Sequence, residues 1–222
     1  MKNDIELQYL FDPLCGWCYA SAPALAGLAE EFGDKLKMMP SGLFVGGRAI
    51  STIADHAWRN DQRIQALTGQ PFSEVYHQNV LQAPDGIFDS WPATVAMTAL
   101  GEHDARLEPL FLHAVQIARY VEGRDTSSTE EVATVAANVA AGHGIDVTVE
   151  DLANRLRNDV DLRERTLERM EDTQARMSEL GMRGVPQVVA IVNGTPHGLS
   201  GQALYDGPQA IIAALNQLSS NA

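Results

Sequence analysis

Apolar and polar residues alternate from Ile5 to Tyr9, with Ile5, Leu7 and Tyr9 on one side and Glu6 and Gln8 on the other, and the run closes on Leu10-Phe11. A period of two predicts a strand with a buried end. Asp12-Pro13 breaks it. Beyond Cys15 the period changes: Leu25, Leu28, Ala29 and Phe32 recur at spacings of three and four, which predicts a helix to about Phe32 with Gly33 as its C-terminal cap. A second strand is predicted around Leu36 to Val45, interrupted by Pro40 and Gly42.

From about Thr52 to Leu180 the pattern is helical almost throughout. Ser128 followed by Glu131 reads as a capping box opening a helix through Ala141, and Thr148 with Asp151 as a weaker one. Arg106 to Val121 is amphipathic, with Leu107, Leu110, Phe111, Ala114, Val115 and Ala118 on one side. The charged stretch Asp151 to Glu179 carries spaced Leu and Met residues and predicts one long helix or two abutting ones, ended by Gly181.

Strand character then returns. Gln187 to Val192 is a β-branched run, and Asn193-Gly194 is the favoured hairpin turn because both positions tolerate positive φ. His197 to Leu199 would lie in the returning arm, and Pro208 to Leu218 reads as a closing helix with Ile211, Ile212 and Leu215 inward. The strands therefore sit at both ends of the chain. The simplest architecture is one α/β domain with a helical insertion.

Composition narrows the partners. The 222 residues are 45% apolar, enough for a real core. The formal net charge of −13 argues against a phosphate-binding surface, which needs clustered Lys and Arg, so no nucleic-acid partner is expected. No run approaches 18 uninterrupted apolar residues, so no membrane span is expected. The N-terminal residues lack the basic, apolar and small-residue order of a secretory signal, which makes the cytoplasm the expected location. Disorder is expected no further than the tail Ser219 to Ala222.

The two cysteines, Cys15 and Cys18, are three positions apart. A bond between them would close too small a loop to stabilise the fold much, so chemistry explains the pair better than stapling. A structural zinc site usually needs four ligands. This chain offers no second Cys pair, and His56, His77, His103, His113, His143 and His197 show no H-x₃₋₅-H spacing, so no metal is expected. Cys15 falls at the start of the helix that follows the first strand, where unpaired N–H groups favour an anion. It is therefore the expected attacking thiolate, with Cys18, one turn on, resolving the mixed disulfide. Gly16 allows a tight turn, and Trp17 offers an apolar surface beside the sulfurs.

Phe11-Asp12-Pro13-Leu14-Cys15-Gly16-Trp17-Cys18-Tyr19 resembles the active-site segment of the DsbA family of thioredoxin-fold proteins, and most its FrnE-like branch. Gly184-Val185-Pro186-Gln187 resembles that family's cis-proline loop, and Ser200-Gly201-Gln202 its closing segment. The resemblance implies a thioredoxin fold with a large all-helical insertion: residues 1–50 and 180–222 would form the thioredoxin-like domain and 51–179 the insert. It also implies that Pro186 follows a cis bond and faces the dithiol. The N–H and C=O of Val185 could then pair with an extended substrate. The central Gly16-Trp17 departs from the Pro-His of the secreted oxidases and the Gly-Pro of thioredoxin, leaving the redox potential open.

The expected activity is thiol–disulfide exchange on protein, peptide or low-molecular-weight substrates, with Trp17, Val185 and Pro186 in contact with them and no cofactor. In a reducing compartment, reduction or isomerisation is more plausible than net oxidation. One alternative is a glutathione-dependent isomerase or transferase of the 2-hydroxychromene-2-carboxylate isomerase or kappa type, whose members resemble this fold but use a lone serine. Another is a non-catalytic binding module using the apolar surface around Trp17. Asp12 reads first as a turn or cap residue, and no buried acid beside Cys18 is evident. Trp58, Tyr76, Phe88 and Trp91 are candidates to line the site, each as readily core residues.

Overall fold

The structure, a computed structural model, describes residues 5–199 and 201–221, the side chains of 219–221 excepted. Ser200 of the closing segment and Ala222 of the tail lie outside the described residues. Strand β1 (Ile5–Phe11) leads into helices α1 (Gly16–Ala20) and α2 (Ala22–Phe32). The helix expected to run unbroken to Phe32 is jointed at Ser21, because Pro23 has no N–H to donate to the Tyr19 carbonyl. Gly33 caps α2 with φ 49°.

Strand β2 (Leu36–Pro40) pairs in parallel with β1, from Leu7 opposite Leu36 to Phe11 opposite Pro40. It stops short of the predicted Val45. Gly42 turns the chain at φ 67°, after a last hydrogen bond from Ser41 N–H to the Phe11 carbonyl at 2.7 Å. Strand β3 (Arg48–Ala49), helix α3 (Ala54–Thr68), the single turn α4 (Glu74–Tyr76) with its π-helical extension His77–Leu81, and strand β4 (Ile87–Phe88) follow. β3 and β4 form an antiparallel ribbon within the stretch read as helical. Two residues per strand give no alternation to detect.

Five helices come next: α5 (Trp91–Gly101), α6 (Leu107–Tyr120), α7 (Thr129–Gly142), α8 (Val149–Asn158) and α9 (Val160–Glu179). Both capping signals form: the Ser128 hydroxyl accepts from Glu131 N–H and the Thr148 hydroxyl from Asp151 N–H. The acidic run is two helices because Asp159 leaves helical geometry and its carboxylate accepts the Leu162 N–H at 2.9 Å. α5 is buried from Pro92 to Leu100 and packs against α6, α7, α8 and α9. A helix apolar all round belongs at such a centre. Leu110, predicted on the inner side of α6, is 45% exposed.

The chain returns through β5 (Gln187–Val192), turns at Asn193 (φ 50°) and Gly194 (φ 79°) into β6 (Thr195–Gly198), and ends in α10 (Pro208–Asn221). The mixed sheet runs β2-β1-β5-β6, with β5 antiparallel to both neighbours. Leu7, Tyr9 and Phe11 join Val188, Ala190 and Val192, Leu28 of α2, and Ile211 and Leu215 of α10 in one core. Leu10, Met39 and Val189 form a smaller core with Met177 and Leu180 at the end of α9. The molecule is thus an α/β thioredoxin fold with a large helical insertion between the sheet strands of its two ends. Among the described residues no helix is long and apolar enough to cross a membrane.

Candidate active site

The site grows from the end of β1. The Asp12 carboxylate folds back on its own turn, its Oδ1 accepting the Leu14 N–H at 2.9 Å, while the Cys15 N–H donates to the Asp12 carbonyl at 3.1 Å. Cys15 keeps extended geometry (φ −84°, ψ 116°) and is the N-cap of α1, its carbonyl accepting the Tyr19 N–H at 3.0 Å. Cys18 follows one turn later. Both thiols are free and both residues buried, Cys15 with 8% of its surface exposed and Cys18 with none. Of the two, Cys15 is the one that retains some contact with solvent.

Opposite the pair lies the loop before β5. The Cys15 Sγ is 3.7 Å from the Val185 carbonyl oxygen, as donor to acceptor, and the Val185–Pro186 peptide bond is cis. Val185 is half-buried and Pro186 buried. Trp17 is half-buried, its ring centroid 5.2 Å from that of Tyr205 in a tilted pair. Of the three residues expected to contact substrate, Val185 is brought to the Cys15 sulfur by its carbonyl.

Burial pushes the Cys18 thiol well above its ordinary value. Its hydrogen bond to the Cys15 sulfur and the charge of Cys15 add to this, the Asp12 backbone opposes it, and the Asp12 charge raises it further. Asp12 is itself fully buried. Its Oδ2 accepts the Phe44 N–H at 3.1 Å and the Ser90 hydroxyl at 2.9 Å. Burial raises its carboxyl to about 6, against the lowering effect of those three donors.

No family model and no curated protein matches the chain. Solved structures do. The cytosolic disulfide reductase DsbM from Pseudomonas aeruginosa is 29% identical, the match covering 98% of this chain and 100% of that one with a TM-score of 0.83. The same reductase with GSH matches at 29% identity over 96% and 98% of the two chains, with a TM-score of 0.80. DsbA from Chlamydia trachomatis, 13% identical over 98% and 88%, has a TM-score of 0.57, a likeness of fold alone. The chain has a DsbA-like thioredoxin fold.

The helical segment packs against the turn that carries the two cysteines. The Tyr120 hydroxyl donates to the Leu14 carbonyl at 2.8 Å. Asp61 of α3 accepts the Tyr76 hydroxyl at 3.0 Å on Oδ2 and turns its Oδ1 towards Gly16. Of the aromatic residues considered from sequence, Tyr76 and Phe88 are core, packed with Tyr19, Phe72 and Tyr120. Trp58 stacks on His77, with ring centroids 4.2 Å apart, and Trp91 lies 5.2 Å under the Arg163 guanidinium. Arg48 is exposed, its guanidinium over the Phe44 ring.

Three residues beside the dithiol were not legible as such. Asp12 read as a turn residue and is one, yet it is also the buried carboxylate whose charge Cys18 feels. Its donors come from positions 14, 44 and 90, and only the first is local. Tyr205 stands on Trp17 and Asp61 under Gly16 through tertiary packing alone, with no local signal at either position. Among the described residues no group of three or more His, Cys, Asp or Glu gathers that could hold a metal ion.

Proposed function

We propose that the protein is a thiol–disulfide oxidoreductase that reduces or isomerises disulfides of proteins, peptides or small thiols, with Cys15 as nucleophile and Cys18 as resolving thiol. The observation that carries this reading is the Cys15 sulfur facing the Val185 carbonyl at 3.7 Å, with its partner thiol buried one turn behind. An extended substrate hydrogen-bonded to the Val185 backbone would bring its disulfide to Cys15, as in strand addition. Trp17 and Pro186 would hold its apolar flanks.

The Cys15 thiolate attacks one substrate sulfur, the other leaves as thiolate, and a mixed disulfide forms. Cys18 then gives up its proton, with Asp12 as the acceptor, and attacks the Cys15 sulfur. The second substrate thiolate leaves and the Cys15–Cys18 disulfide forms. The substrate gains two electrons and the dithiol loses two. A low-molecular-weight thiol of the glutathione class restores it. In isomerisation the released thiolate attacks elsewhere in the client and the dithiol is not consumed.

The same reading assigns residues 1–50 and 180–222 to a thioredoxin-like domain and 51–179 to an inserted one that floors the site. It places the chain with the FrnE-like branch and in the cytoplasm, where a reductase or isomerase has use. The resemblance to a cytosolic reductase supports that location. Two sulfurs joined by a hydrogen bond favour dithiol exchange over a glutathione-dependent isomerase, which would need only one activating group.

The test is reduction of insulin with glutathione as the electron source. Cys15→Ser is expected to lose turnover entirely, and Cys18→Ala to accumulate a mixed disulfide on Cys15 that is visible by mass spectrometry. Equal turnover by wild type and Cys15→Ser would rule the mechanism out.

A further inference from the structure

The second cysteine is tied to the strand that precedes the first. Helix α1 is five residues long, so the carbonyls of its last turn must find partners outside a regular helical ladder. The Cys18 carbonyl takes hydroxyls. It accepts the Ser21 hydroxyl at 2.9 Å, and the Tyr9 hydroxyl of β1 lies 3.5 Å away as a second donor. The two hydroxyl oxygens are 2.7 Å apart. With the Ser21 proton on the carbonyl, the Tyr9 proton goes to the Ser21 oxygen. A hydrogen-bonded chain therefore runs from β1, through the joint between α1 and α2, to the residue that carries the resolving thiol.

Tyr9, Cys18 and Ser21 are all fully buried, so bulk water cannot stand in for either hydroxyl. The Tyr9 ring has its own place in the core, stacked on Phe11 with centroids 5.7 Å apart. A phenylalanine would satisfy that packing and bury no polar atom, so packing leaves the hydroxyl unexplained. Burial, and after it the charge of Cys18, push the Tyr9 hydroxyl well above its ordinary value. It therefore keeps its proton, and remains a donor, when Cys18 becomes a thiolate. The Ser21 end of the chain lies where the helix is already broken by Pro23, the point at which the turn would otherwise be loosest.

We propose that Tyr9 and Ser21 are positioning residues for Cys18: their hydroxyl chain fixes the end of the Cys15–Cys18 turn and so sets how readily the Cys18 sulfur closes on Cys15. This rests on the dithiol reading above and adds to it two residues that act through the Cys18 backbone. Forming the disulfide is a ring closure within one helical turn. Its equilibrium and its rate both depend on how much of the geometry is fixed beforehand. Freeing the Cys18 carbonyl lowers the effective concentration of one sulfur at the other.

The experiment equilibrates the full chain with reduced and oxidised glutathione. The dithiol and one oxidised glutathione give the Cys15–Cys18 disulfide and two glutathione thiols, two electrons passing from the cysteine sulfurs to glutathione. Tyr9→Phe is expected to lower this equilibrium constant roughly tenfold, which makes the pair about 30 mV more oxidising. Release of glutathione from a preformed mixed disulfide on Cys15 should slow by a similar factor. Ser21→Ala should do the same, and the double variant should be no worse than either single one, because each breaks the same chain. A purely structural role predicts a lower melting temperature with the potential and the release rate unchanged. That result would overturn the proposal, as would additive effects in the double variant. A wild type that forms no Cys15–Cys18 disulfide with glutathione would sink the dithiol reading and this inference together, whereas a wild-type disulfide with unshifted variants sinks the inference alone. Should Ser21→Ala fail to fold, Tyr9→Phe, which keeps the stacked ring, decides by itself.

Discussion

Asp61 sets its Oδ1 2.6 Å from the point where a Cβ on Gly16 would sit, with the Ile64 Cδ1 at 3.0 Å from the same point. The residue between the two cysteines on the Cys15 side is therefore a glycine for a reason that lies in α3: the helix packs directly on the active-site turn. Gly16→Ala should overpack this contact and destabilise the protein by about 1–3 kcal/mol. At this chain length each kcal/mol lowers the melting temperature by roughly 2–4 °C. Asp61→Ala in the same chain should relieve part of the loss, so the double variant should be more stable than the sum of the two single effects allows. Strict additivity in thermal melts would show that the two residues do not press on each other.

The same carboxylate should make stability depend on pH in an unusual direction. Burial raises the Asp61 carboxyl to about 7, although the Tyr76 hydroxyl and the Arg119 charge pull it down. The folded state thus binds a proton that the unfolded state, titrating near 3.8, does not. Its contribution is complete below pH 3.8 and is lost as pH rises through 7, so lowering the pH from 8 towards 5 should stabilise the fold. The slope from one such group is at most about 1.4 kcal/mol per pH unit. Asp61→Asn keeps an acceptor for Tyr76 and removes the proton. Urea unfolding at pH 5, 6.5 and 8 should show a flatter profile for the variant. Parallel profiles would refute the assignment.

Local chemistry made much of the scaffold readable, and distance hid most of the site's surroundings. β1 and β5 show as a period of two and a β-branched run, the hairpin as Asn193-Gly194, and the openings of α7 and α8 as Ser128 and Thr148. Each signal lies within a few residues of what it specifies. The place of Cys15 at a helix start follows from such signals too. The joint at Ser21 was equally local, written in Pro23, but the strong apolar period across it masked the break. The β3–β4 ribbon is too short for any period. The packing of Asp61 on Gly16, Tyr205 on Trp17 and Ser90 on Asp12 joins residues 45, 188 and 78 positions apart, and no window of sequence reports such pairs.

Arg169 ties α9 to three other elements. Its guanidinium donates to the Met38 carbonyl at 3.0 Å, the Thr98 hydroxyl at 3.1 Å and the Glu108 carboxylate at 2.6 Å. Burial raises the Glu108 carboxyl even with this partner present. Arg169→Ala should strand that carboxylate and cost about 3–5 kcal/mol, whereas Arg169→Met with Glu108→Gln should cost clearly less, since neither retains a charge. Chemical denaturation of the three proteins at pH 7 measures the difference. A single-variant loss below that of the double would contradict this account.

Asp12 offers the sharpest test of the proposed chemistry because its structural and chemical roles separate. Three donors converge on its carboxylate, so Asp12→Ala should leave the Leu14 and Phe44 N–H groups and the Ser90 hydroxyl without it and lose at least about 3 kcal/mol. Asp12→Asn should lose less, since its carbonyl oxygen can still accept and Ser90 can turn to accept from the amide. The asparagine cannot take a proton. To receive one from Cys18, Asp12 must be ionised, so resolution of the mixed disulfide in the wild type should accelerate as pH rises through about 6 and then level. Stopped-flow release of the second thiol from a preformed mixed disulfide on Cys15 follows this step alone. Asp12→Asn should be slower and lose the inflection near pH 6, while the initial attack by Cys15 keeps its own profile. An inflection that survives in Asp12→Asn would assign the proton to another group and leave Asp12 as a strut of the turn.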